Sequence, residues 1–160
     1  MGSQGMDWRA QYNRMMRTHK KLDDHARAPE AYDDDLAHFL MDTLHLCDWI
    51  QSDIMVSQEK KSKVRTLFDK SEILQVSRSA ANGYKHGGRD RSPQATSVDI
   101  HSAAKEIIVS ASDGRILGQA TNYETRDGKI FQSLELTRQA VEAWRSILTD
   151  SGLLPAPDLA

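Results

Sequence analysis

The 160-residue chain holds one cysteine, Cys47. That count excludes an intramolecular disulfide and a cysteine-rich zinc site. No apolar run approaches the roughly 18 to 20 residues that a membrane-spanning helix requires. No basic-then-apolar leader with a small-residue cleavage site opens the chain, so a reduced, cytoplasmic setting is expected. Excess charge of one sign is missing as well. A net charge of −2 does not advertise nucleic acid as a partner for the chain as a whole. What is present is 39% hydrophobic and 28% charged residues, a globular composition that argues against wholesale disorder. The length suits one domain.

The small net charge hides a division along the chain. Residues 1–27 carry +3, residues 28–58 carry −7 with no Lys or Arg, residues 59–91 carry +5 and residues 92–160 carry −3. Mutual neutralisation of an acidic helix by basic neighbours is the expected outcome, with individually weak pairs. The competing expectation is that the third block offers phosphate contacts, with Arg89 and Arg91 in a loop as binding residues.

Residues 1–5 read as an expression scar ahead of Met6, and residues 6–150 as a single α+β domain. Trp8, Tyr12, Met15, Met16 and Leu22 recur at helical spacing and predict a first helix from Asp7 to about Ala26. Pro29 suits the first turn of a second helix over about 30–54. Its stripe of Leu36, Leu40, Thr43, Cys47, Ile50 and Ile54 predicts a core face. Asp35, His38, Asp42, His45 and Trp49 fall on the opposite side. Ser57 can cap a third helix to about Asp69, and Ser71 a fourth from Glu72 to about His86, with a break at 69–71. Ile73, Val76, Ala80, Ala81 and Tyr84 make its predicted buried side, and Asn82-Gly83 can end it early.

Residues 87–96 read as a basic loop. The texture then changes to a three-stranded antiparallel meander over 97–136. Its strands are Glu106–Ser110, Arg115–Thr121 and Ile130–Leu136, with turns at Asp113-Gly114 and Asp127-Gly128. Residues 96–104 fit a short edge strand. A final helix over 137–150 buries Ala140, Val141, Trp144 and Leu148 and stops at Gly152, leaving 151–160 as a tail. Helices followed by a meander and a closing helix give an α+β layout, with the helical part over about 7–86.

Two polar ridges carry candidate chemistry. His38, Asp42 and His45, at spacings of four and three, place two imidazoles and a carboxylate on one helix face, and Trp49 at its end favours a contact surface. The same three residues are the alternative metal ligands. No metal or other cofactor is favoured, because a di-metal bundle site needs matching acid–histidine pairs on two helices. Arg78, Asn82 and His86 lie on a second ridge at intervals of four, with Lys85 beside them. A histidine among such groups can act as a general acid or base on a phosphodiester. Lys85 and His86 also suit a helix C-terminus on dipole grounds alone. Cys47, on the core stripe, reads as inert packing.

Residues 80–86, Ala-Ala-Asn-Gly-Tyr-Lys-His, give the second ridge a further meaning. Here the sequence resembles the HEPN superfamily, small helical-bundle proteins of bacterial conflict systems that often dimerise. The family signature is Arg, a polar residue (commonly Asn), three variable residues, and His near a helix end. Asn82 and His86 match it, Ala81 stands where the arginine belongs, and Arg78 lies one helical turn earlier. The resemblance covers about residues 30–86. It implies a homodimeric binding or regulatory protein of a bacterial or phage-related system, non-catalytic because the arginine is replaced. RNA or another protein is the implied partner, and no membrane is. The alternative it implies is a metal-independent ribonuclease using His86 with Arg78 or Lys85 and Asn82.

Overall fold

Side-chain caps set most of the helix starts. The computed structural model describes residues 6–24, 28–85 and 98–156, the side chains of Tyr84 and Lys85 excepted. Helix α1 (Trp8–Leu22) opens where Asp7 accepts the Arg9 N–H, and α2 (Pro29–Ser52) opens on Pro29 itself. Ser57 accepts the Lys60 N–H at the head of α3 (Gln58–Lys70), and Ser71 accepts the Leu74 N–H at the head of α4 (Glu72–Lys85). The break between α3 and α4 falls where expected. The Gln75 amide braces it by donating to the Phe68 carbonyl at 2.9 Å.

Strands β1 (Ile100–Val109), β2 (Ile116–Thr125) and β3 (Ile130–Gln132) form an antiparallel sheet in the order β1-β2-β3, and α5 (Ser133–Asp150) closes the chain. The architecture is α+β, as the layout of the sequence predicts. Gly114 and Gly128 take φ of +70° and +86° in the two turns, a region that L side chains rarely adopt. Gly152, at φ +74°, stops α5. Beyond it, the Leu153 and Leu154 N–H groups both return to the Leu148 carbonyl.

Two helices organise the core. Both α2 and α5 touch every other helix, and α5 also meets β2 and β3. Trp144 of α5 is fully buried against Phe68, ring centroids 5.6 Å apart, and its indole N–H donates to the Thr43 carbonyl at 3.1 Å. The Tyr32 hydroxyl meets Ser133 Oγ at 2.8 Å, and the same Oγ accepts the Thr121 N–H at 3.0 Å. One serine thereby ties α2, the sheet and α5 together.

Four sequence expectations are corrected. Strand β3 ends at Gln132 and α5 begins at Ser133, rather than at Leu136 and Thr137. Leu136 and Ala140 continue the helical stripe backward, and buried Ser133 is held by its two partners. Residues 100–104 belong to β1. Asn82-Gly83 does not end α4, which runs on to Lys85 because Gly83 is packed inward. Ile54 is 77% exposed, because α2 stops at Ser52 and the chain turns away. Loop 87–96 lies outside the described residues. No helix among the described residues is long and apolar enough to cross a membrane.

Candidate functional site

The acidic helix α2 was expected to turn one face outward, but four neighbouring helices use both its sides. His38 is exposed, while Asp35 and Asp42 are buried. The Gln11 side-chain amide of α1 donates to Asp42 Oδ1 at 3.1 Å and to the Asp42 carbonyl at 3.2 Å. A carboxylate so placed ties α1 to α2. His45 and Trp49 are half-buried; Trp49 packs on the core, with the Arg14 guanidinium 5.8 Å from its ring centroid. Among the described residues no three His, Cys, Asp or Glu side chains gather as a metal-holding group. Cys47 is buried with the Arg65 guanidinium 3.8 Å from its sulfur, and burial pushes the thiol pKa up while Arg65 pulls against it. The raised pKa keeps it protonated and unreactive.

The ridge on α4 is described in part. Arg78 is exposed and Asn82 half-buried, one turn apart. His86, Arg89 and Arg91 lie outside the described residues, as does the Lys85 side chain. Ala81 has 0% exposure, so the position that the HEPN signature gives to arginine faces the core here. Behind the ridge, Ser79 accepts the Ile100 N–H at 2.9 Å and anchors the root of β1. A cleft of about 210 Å³ separates α4 from the sheet, lined among others by Gly83, Ala103 and Thr121. Lys105 pairs with Asp33 across its mouth. The acidic segment thus reaches a cation on β1 in addition to the basic helix α3, whose Arg65 interacts with the Asp48 charge.

A third surface is on the sheet. β3 pairs only with Asn122–Glu124, so the β1–β2 ribbon from Glu106 to Gly118 extends past the third strand. Ile108 is 62%, Val109 54%, Leu117 53% and Ile107 43% exposed. Gly118 stands opposite Ile108, and a Cβ there would meet nothing within 4 Å. An apolar cluster in water on a two-stranded ribbon is the kind of surface that proteins use for contact.

Sequence reasoning placed Ile107–Val109 in a strand without seeing that it is uncovered. The signal was in the pattern: three consecutive apolar residues put apolar side chains on both faces of a ribbon, and no helix follows to cover both. No family model, curated protein or solved structure matches the chain.

Proposed function

We propose that the protein works by binding, as a small dimeric adaptor, regulator or inhibitor of HEPN-like character in the cytoplasm of a bacterial or phage-related system. The bacterial or phage setting comes from the resemblance alone. The observation that carries the binding reading is the exposed apolar ribbon of Ile107, Ile108, Val109 and Leu117. Such clusters on folded proteins mark contact surfaces rather than reaction centres. Buried Ala81 supports the non-catalytic side of the reading, because an arginine at that position would have to leave the core to meet a phosphate.

A second reading draws on Arg78 and Asn82, which share one side of α4 a turn apart. With His86 they would supply a cation, a hydrogen-bond donor and an acid–base group to an RNA phosphodiester. Incubating the full chain with single-stranded RNA in the presence of a metal chelator separates the two. The binding reading expects intact RNA and a defined oligomer by light scattering. RNA cutting that disappears in His86→Ala would overturn it in favour of the ribonuclease.

A further inference from the structure

We infer that two copies of this chain join along β1, antiparallel about a two-fold axis at Ile108, and form one continuous six-stranded sheet. The inference rests on the binding reading and names its partner as a second copy. The seam lies outside the helical stretch that carries the HEPN resemblance.

β1 is one of the two edge strands of the sheet, so one side of its backbone has no strand beside it among the described residues. Natural edges are guarded by bulges and charges. Here the guards sit at the root. His101 is an extra residue between Ile100 and Ser102 in the register, and Lys105 is held by Asp33. From Ser102 to Val109 the β1 backbone carries no extra residue, and the register shift near the tip comes from Leu117 on β2. The unguarded half is also the apolar half.

The sequence of β1 then selects the register. Paired side chains share a face, so a two-fold axis through the sheet must pass through one residue of the strand. Centring on Lys105 or Glu106 sets like charges opposite each other, which is unfavourable. Centring on Ile107 sets Lys105 against the partner's Val109 and Glu106 against the partner's Ile108. Centring nearer the root draws the His101 bulge into the seam. With Ile108 on the axis, it meets its own copy, Ile107 meets the partner's Val109 on both sides, and Glu106 meets the partner's Ser110. Only this choice opposes each of Ile107, Ile108 and Val109 to another of the three, and it leaves no like charges facing. The paired stretch is about 17 Å long on each copy. It turns an exposed two-stranded ribbon into a four-stranded one, the size at which sheets hold themselves.

Sedimentation velocity of the full chain over a wide concentration range tests the inference. A reversible dimer is expected, reduced to monomer in Ile108→Lys with the fold intact by circular dichroism. Mild oxidation of Ile108→Cys should give a covalent dimer, while Ala104→Cys gives no covalent dimer under the same treatment. Buried Cys47 stays out of both reactions. A monomer at every concentration, or a dimer that survives Ile108→Lys without cross-linking at 108, overturns the seam. If that surviving dimer is instead lost in Trp49→Ala, its contact lies on α2, and the binding reading stands while the β1 seam falls.

Discussion

His19 shows how a single side chain makes this fold sensitive to acid. Its ring lies on Phe39, centroids 5.5 Å apart. Burial lowers its pKa below the ordinary 6.5; Asp23 opposes the shift, while Arg138 and Arg145 of α5 reinforce it. The folded state therefore resists a proton that the unfolded chain accepts first. Stability from this group is complete above about pH 6.5 and is lost as the pH falls through and below that value. Thermal melts between pH 8 and pH 5 should show a smaller acid-side drop for His19→Gln than for the unmodified chain. An unchanged drop would place the sensitivity elsewhere. Tyr32 makes the complementary case, since its buried hydroxyl spends itself on Ser133. Tyr32→Phe should cost about 1 kcal/mol in urea unfolding, because Ser133 keeps its bond to the Thr121 N–H. These partners were not legible in the sequence, since Tyr32 and Ser133 stand 101 residues apart.

Element boundaries were legible wherever one residue's chemistry forces them. Ser57 and Ser71 mark helix starts because their hydroxyls can accept a free first-turn N–H. Gly114, Gly128 and Gly152 mark reversals because they alone take positive φ among the described residues. The passage from β3 to α5 was misread because Leu136 both ends the alternating run Ile130, Gln132, Leu134, Leu136 and belongs to the helical stripe that continues through Ala140. The outward face of α2 was misread for a different reason. A helical wheel assigns one core face, but α2 lies between neighbours, so Asp35 and Asp42 go inside with Phe39 and Leu46. The candidate site shares that fault, because exposure of Ile107–Val109 depends on where β3 stops. Gly118 offers a test on the ribbon. A glycine inside a strand forgoes side-chain packing, and the space above it is open. Gly118→Val should stabilise the ribbon by up to about 1 kcal/mol through contact with Ile108, read as a higher melting temperature.

At the scale of the molecule, the fold depends on a closure between distant parts of the chain. The class and order of elements were readable from local pattern, but the weight borne by α5 was not. It is the helix that seals α1 through α4 and also braces the sheet. A chain ending at Gln132 lacks Leu136, Val141, Trp144 and Leu148, all of them buried in the intact protein. It should lose its cooperative melt and bind a hydrophobic dye, whereas a folded, cooperative fragment would show that the four earlier helices suffice. The joint between Trp144 and the Thr43 carbonyl has a consequence for biosynthesis. The ribosome releases the first four helices well before the residue that caps their shared interior has been translated. Until that tryptophan emerges, the nascent chain presents an unfilled apolar hollow to the cell, which is the interval in which a chaperone would find it.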